Sequence, residues 1–407
     1  MRSVSDHQTV VAALFGEPAT VTVPVADAHG SVLVTDVVAP IGLPGFDNSA
    51  MDGYAVRSDE ISTATSESPI RLPVAEDIPA GRTDELTLAP GTAHRIMTGS
   101  PVPGGADAIV PVEQTDGGVS IVQIRASVPA GKHIRAAGSD IEAGQTAMRA
   151  GTRLGAPQIG LLAALGITDV AVASRLRVVV LSTGSELVTP GTPLQHGQIY
   201  ESNGPMLTAA ATEAGAEARH LHYVTDDVAA FRARLDEISD EADLIITSGG
   251  VSAGAFEVVK DALAQSDDVQ FVKVAMQPGM PQGCGHYPSP RGRRVPIVTL
   301  PGNPVSSLVS FEIFIRPPLR AAMGLPPHRE QTTARLRSDV RSPAGKRQFL
   351  RGELRRTDDP DGILEVDPIG PPASHHLRYL ARADALIDIA ADVDTVPAGT
   401  PVRVLVL

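Results

Sequence analysis

Tryptophan is absent from this 407-residue chain, aromatic residues make up 3% of it, and Cys284 is its sole cysteine. So few aromatics mean that the cores are built mainly from Val, Leu, Ile and Ala. One cysteine excludes an intrachain disulfide and a Cys-based zinc site. No apolar run approaches the ~20 residues of a membrane span. The first residues, MRSVSDHQTVVAALFG, lack the apolar core and cleavage site of a secretory signal. A cytoplasmic location with no membrane partner is therefore expected. Basic residues are also scarce, with 34 Lys and Arg against 47 Asp and Glu and a net charge of −13. Phosphate backbones need clustered Lys and Arg, so the charge argues against a nucleic-acid partner. A small anion is not excluded, because one pocket can be positive on an acidic protein. The main basic run, RSPAGKRQFLRGELRR (Arg341–Arg356), reads as a solvated strand and turn.

The length calls for two to four domains. Residues 6–15 read as a short amphipathic helix stopped by Gly16, and strand-like pieces follow at 20–25 and 31–38. Short β-prone pieces (IRLPVA, AHRIM, AIVPV, VSIVQI) then alternate with Pro and Gly up to about residue 139. APQIGLLAALGI returns to a helical pattern. The expected organisation is a segmented N-terminal linker or dimerisation region (1–45 and 140–172), an inserted β-rich module (46–139), an α/β domain (173–324) and a C-terminal β domain (325–407). In the α/β part, VVVL, EARHLHYV, DLIIT, VQFVKV and PIVTL read as buried strands. Between them, Val228, Phe231, Leu235 and Ile238 mark one helix face. Alternating strand and helix implies a doubly wound parallel sheet. The tail after GLPPH shows five short strands, enough for a small β-barrel or sandwich. The fold class is multidomain α/β plus β.

Ligands of doubly wound sheets bind beyond the carboxyl ends of the strands. Three loops fall there: LSTGSELV with Ser182, Thr183, Gly184 and Glu186; TSGGVSAGAFEVVK with Ser248, Gly249 and Gly250, leading into a helix near Phe256; and LPGNPVSSLVSF with Pro301, Gly302 and Asn303. Free N–H groups and small hydroxyls at helix N-termini bind phosphate. Helix caps alone would account for one such loop but poorly for three. None is a Walker A or Rossmann fingerprint, which weakens ATPase and dehydrogenase readings.

PGFDNSAMDGYAV (Pro44–Val56) has no helical or strand period and sets Asp47 and Asp52 among turn-forming residues. Phe46, Met51 and Tyr54 are its only large apolar anchors. This stretch resembles the signature loop of the MoeA/gephyrin family, the molybdopterin molybdenumtransferases. The resemblance extends to RIMTGSPVPGGADAIVPVEQT, GSDI, QIYESN and PGNPVS, covering residues 1–325 well; in the tail it is limited to architecture and to short pieces such as Arg351–Gly352 and Ser374–His376.

The resemblance implies an enzyme that takes adenylylated molybdopterin and molybdate, releases AMP and yields molybdenum cofactor, using Mg2+. It implies a homodimer whose α/β domain, the molybdopterin-binding domain, faces the N-terminal region of the other subunit. A molybdopterin adenylyltransferase is an implied partner. By match to family positions, Asp52, Thr98, Asp140 and Asp226 are candidate catalytic residues, and Glu186, Asp226 and Glu257 are candidate Mg2+ ligands. The alternative for Asp226 is an N-cap of the helix over 227–241. Lys273, Arg351 and Ser374 are candidates for molybdate, with Arg347 and His375 as neighbours. Gln277 and Met280 stand where the bacterial pattern often has lysines, which removes two positive charges. Two other functions remain open: molybdopterin adenylyltransferase activity, and a non-catalytic binding or scaffold paralogue.

Overall fold

The computed structural model describes residues 1–222, 227–249, 258–263, 268–356 and 364–407, and it divides into two compact units. The smaller holds Thr22–His29 and Leu33–Val172; the larger holds Met1–Val21, Gly30–Val32 and Ala173–Leu407. Helix α1 (Val4–Ala12) opens the larger unit. The Ser3 hydroxyl accepts from the Asp6 N–H at 3.0 Å and caps it. Apolar spacing alone puts this helix at 6–15; the cap starts it earlier, with Val4, His7 and Val11 inward.

In the smaller unit, β1 (Gly53–Val56), β2 (Ile70–Ile78), β3 (Ala93–Ile96), β4 (Ala108–Pro111) and β5 (Ile121–Ile124) form a sheet in the order β4-β1-β3-β2-β5. Only β2 and β3 pair in parallel. Tyr54, Val56, Leu72, Val110 and Val122 fill its core. Helix α2 (Ala156–Ala164), with proline in its first turn, buries Leu162 in a second cluster with Leu33, Val170 and Val172. Of the strand expected over 31–38, only Val37–Val38 is a strand.

The larger unit continues through β6 (Arg177–Ser182), α3 (Asn203–Glu213), β7 (Glu217–His222), α4 (Val228–Ser239), β8 (Leu244–Ser248), α5 (Val258–Leu263), β9 (Val269–Lys273), β10 (Pro281–Pro288), β11 (Arg294–Leu300) and α6 (Pro304–Ser310). The strand order is β7-β6-β8-β11-β10-β9. The first four run parallel, while β10 is antiparallel to both its neighbours. Its sequence, PQGCGHYP, hides this strand behind two prolines and two glycines. Alternate residues sort to two faces. Val178, Val180, Leu244, Ile246 and Val298 meet Leu207 of α3 and Val305 of α6, whereas Val179, Leu181, Ile245 and Ile297 meet Phe231 of α4 and Val259 of α5. Burial of alternate residues on opposite faces is what a central strand covered by helices requires. Cys284 is buried, and burial pushes its thiol up to about 11, so it is inert.

Five strands, β12 (Gln331–Leu336), β13 (Arg347–Arg356), β14 (Leu364–Pro368), β15 (Ala385–Ile389) and β16 (Pro401–Val406), close into a barrel in the order β13-β14-β12-β16-β15, with β15 returning to β13. Ala334, Val366, Ile387 and Val404 pack inside. The barrel is joined to the α/β sheet region by main chain: Met276 and Gln277 pair with Arg347 and Gln348 at the start of β13. Among the described residues, no helix is long and apolar enough to cross a membrane.

His7 is fully buried, its ring edge-on to Phe314 at 4.6 Å. Burial, reinforced by the Arg2 charge, lowers its pKa to about 4. An unfolded histidine titrates near ~6.5. Between these values the unfolded chain binds the extra proton, so stability falls as pH falls through this window. Urea unfolding at about pH 7 and about pH 4.5 should show the parent losing about 2 kcal/mol more than His7→Leu.

Candidate functional site

In the smaller unit the signature loop is stitched to two others. Asp52 Oδ1 accepts from both the Thr98 N–H and the Thr98 hydroxyl at 2.7 Å. The backbone bond, then the hydroxyl bond, hold the Asp52 carboxyl below the usual carboxylate range. Asp47 Oδ1 accepts from the Ala137 N–H at 2.7 Å. The N–H groups of Gly138 and Asp140 donate to the carbonyls of Pro44 and Leu43 at 2.8 and 2.9 Å. Asp52 and Thr98 are thus in direct contact, and Asp140 sits in the adjoining turn, exposed. Gly53 is dictated by packing: a Cβ there would lie 2.0 Å from the Val110 carbonyl oxygen. The end of this stretch is not loop but the buried strand β1, which its lack of a strand period did not indicate; Tyr54 anchors it from there, whereas Phe46 is no anchor, being 51% exposed. The apolar run gives no warning of this, because hydrophobicity does not specify direction in an aperiodic loop.

In the larger unit two cavities, of about 610 and 740 Å³, share Glu186, Ile199, Gly302, Asn303 and His375 in their walls. The first is lined by Thr183, Gly184, Ser185, Ser248 and Gly249 as well, so all three loops at the carboxyl edge meet there. Gly249 has φ +97, and a Cβ on it would stand 2.6 Å from the Thr183 carbonyl oxygen, which only glycine tolerates. Pro301 lines the second cavity with Ser306, Ser374, Gln277 and Met280. Gly250, Asp226 and Glu257 lie outside the described residues. The cap of α4 is Asp227, whose carboxylate accepts from the Ala230 N–H at 2.7 Å, so the capping alternative for Asp226 falls to the next residue.

Several expected ligands stand elsewhere. Ser182 is fully buried beneath the loop and lines neither cavity; its hydroxyl donates to Glu201 Oε1 at 2.9 Å and lies 3.1 Å from His220 Nε2. Lys273 is exposed at the end of β9 and also lines neither. Arg351 is only 4% exposed, and its guanidinium donates to the carbonyls of Pro371 and Ala373, the latter at 2.9 Å. It shapes the loop that carries Ser374, and desolvation lowers its pKa. Arg347 pairs with Asp388 at 2.6 and 2.7 Å inside the barrel region. Main-chain pairing and barrel closure, which carry no sequence motif, decide these positions.

Two unexpected groups build the site. The carboxamide of Asn203 donates to Ser248 Oγ and to the Gly302 carbonyl, both at 2.7 Å, tying two loops together. Glu201, 3% exposed, accepts from the Gly204 N–H at 2.7 Å at the start of α3. Burial holds the neighbouring His220 below the ordinary imidazole value, with the Glu201 charge acting the other way. Asn203 and Glu201 lie in QIYESN, a stretch whose resemblance was visible without any indication of role. On the barrel side, the Val305 N–H of α6 donates to the Ser374 carbonyl at 3.1 Å.

These features coincide with known proteins along the whole chain. Residues 2–166 match the MoeA N-terminal region (domain I and II), 179–321 the probable molybdopterin binding domain, and 333–407 the MoeA C-terminal region (domain IV). The chain is 59% identical to molybdopterin molybdenumtransferase 2 of Mycobacterium tuberculosis, covering 99% of both. It is 36% identical to molybdopterin molybdenumtransferase 1 of the same organism, covering 100% of this chain and 99% of that one. The molybdopterin biosynthesis moeA protein of Pyrococcus horikoshii superposes with a TM-score of 0.79 at 30% identity, covering 99% of this chain and 98% of that one. The chain belongs to the MoeA family of molybdopterin molybdenumtransferases.

Asn203→Ala should leave the Gly302 carbonyl without this donor and cost about 1–3 kcal/mol of stability. Ser185→Ala, at an exposed lining position, should change it by less than about 0.5 kcal/mol. Denaturant unfolding of the two purified variants checks the contrast.

Proposed function

We propose that this chain inserts molybdenum into molybdopterin, taking adenylylated molybdopterin and molybdate and releasing AMP. The observation that carries this reading is the pair of adjoining cavities, one walled by the three loops at the carboxyl edge, of which that of Gly302–Asn303 leads directly into a helix and that of Thr183–Glu186 into the short strand Leu187–Val188, and the other by the barrel loop of Ser374. Backbone N–H groups and small hydroxyls suit the phosphates of an adenylylated ligand. The exposed side chains of Ile199 and Tyr200 offer an apolar wall to a flat ring. The second cavity lies close enough, through the shared residues, for an oxyanion to meet the same ligand. Names given to relatives that span 99% of this chain favour this reading over adenylyltransferase activity or scaffolding.

Mg2+ suits one or two carboxylates with phosphate oxygens and water. Glu186, in the wall of both cavities, fits that need, with Asp226 and Glu257 as further candidates. Among the described residues there is no group of three His, Cys, Asp or Glu side chains that could hold a metal alone. Bound Mg2+ would offset the charge on the phosphates. Thr183, Gly184, Ser248, Gly249, Gly250, Pro301, Gly302 and Asn303 hold the ligand, and Ser374 the oxyanion. Asp52, Thr98 and Asp140 come from the second subunit of a homodimer, and Asp226 acts as a proton-transfer residue. The protein works in the cytoplasm, receives substrate from an adenylyltransferase, and has the four-part organisation expected from its sequence.

Purified protein with adenylylated molybdopterin, Mg2+ and molybdate should release AMP and reconstitute an apo-molybdoenzyme; no AMP and no reconstitution would refute the function. In Asp52→Asn the amide oxygen can still accept from Thr98, so folding should persist while turnover drops about a hundredfold, the scale of one acid–base group. Parent-like turnover would remove Asp52 from catalysis. Excess chelator should abolish AMP release, and an unchanged rate would remove Mg2+.

A further inference from the structure

The second cavity has an electrostatic problem that one residue solves. Its wall carries Gln277 and Met280, neither charged, and the acid Glu186. A dianion needs a compensating cation or several oriented donors. The basic residues expected to supply it are committed elsewhere: Arg351 to main-chain carbonyls, Arg347 to Asp388, Lys273 to an exposed strand end. Among the described residues, Lys346 is the one lysine or arginine in the wall of either cavity. It is half-buried and has no ion-pair partner among the described residues.

Its position is fixed by main chain. The Arg347 N–H donates to the Ala275 carbonyl at 3.0 Å, and Met276 and Gln277 pair with Arg347 and Gln348. The residue just before β13 is therefore held beside the Gln277 segment. The Lys346 N–H itself donates to the Pro343 carbonyl at 3.3 Å, closing the turn into the strand.

We propose that Lys346 supplies the positive charge that binds the tetrahedral oxyanion substrate in this chain. The neutral donors around it, Ser306, Ser374 and Gln277, orient the oxygens, and the ammonium acts as a mobile point charge. No bond is made or broken at Lys346; it is a binding residue. This assignment rests on the proposed function for the identity of the oxyanion, molybdate.

The test uses Lys346→Met, Lys346→Arg and Lys273→Met in the full-length protein, each checked by thermal unfolding. Equilibrium dialysis with molybdate alone gives affinity, and AMP release against molybdate concentration gives half-saturation. Lys346→Met should weaken molybdate binding tenfold or more and raise its half-saturation to match. The half-saturation for adenylylated molybdopterin should move less than twofold, and Lys346→Arg should recover molybdate binding to within about threefold. Parent-like molybdate affinity in a folded Lys346→Met, or the tenfold loss in Lys273→Met instead, overturns the assignment. If the parent releases no AMP but loses molybdate binding with Lys346→Met, the assignment stands and the proposed function fails.

Discussion

Two loops at the carboxyl edge of the α/β sheet are bound to each other through the carboxamide of Asn203, which donates to Ser248 Oγ and the Gly302 carbonyl. These loops belong to different strands, β8 and β11, and lie in van der Waals contact: a Cβ on Gly302 would be 3.6 Å from the Gly249 Cα. A third loop joins them where the Thr183 N–H donates to the Ser248 carbonyl at 3.1 Å. Helix α3 aims the carboxamide, and its own first turn is held by the buried Glu201 carboxylate. The chain Glu201–Gly204–Asn203 therefore converts a helix start into a brace for a cavity. Removing water from these bonds raises the penalty of leaving any of them unmade.

The barrel is part of the same construction. Arg351 sits under the loop of Pro371 to Ser374 and holds it by its carbonyls, and the Ser374 carbonyl in turn receives the first turn of α6. On the other side, the short pairing of Met276–Gln277 with β13 fixes the approach of the Gln277 segment. A wall of one cavity is thus assembled from three elements far apart in sequence. The buried Asp388, which accepts from Arg347 and Arg403, stabilises the strands that present it.

Much of this architecture was legible in the residues. Apolar runs marked β6, β8 and β11 as buried strands. They also located β7 and β9, but these two are the edge strands, β7 burying no side chain and β9 only Val269. The spacing of Phe231, Leu235 and Ile238 marked α4, because burial on one face leaves a periodic trace. The five strands of the tail were legible for the same reason, although a strand pattern does not say whether the sheet closes. β10 was not visible, since its prolines and glycines read as turns. The three edge loops were found because glycine and small hydroxyls at strand ends have a physical meaning. The roles of individual basic residues were not: Lys273, Arg347 and Arg351 have similar sequence credentials, and only three-dimensional pairing separates them. Lys346 lay in a run that reads as solvated surface, and nothing in one dimension sets it apart.

The most direct measurement of the central claim, that three loops braced by Asn203 form the nucleotide end of the site, is a crystal structure of the protein with AMP. The account predicts the phosphate against these loops, within hydrogen-bonding distance of the main-chain N–H groups of Gly184, Gly302 and Asn303, with the base directed along the wall of Ile199 and Tyr200. A phosphate seated on another surface, with these loops empty at saturating AMP, would contradict it.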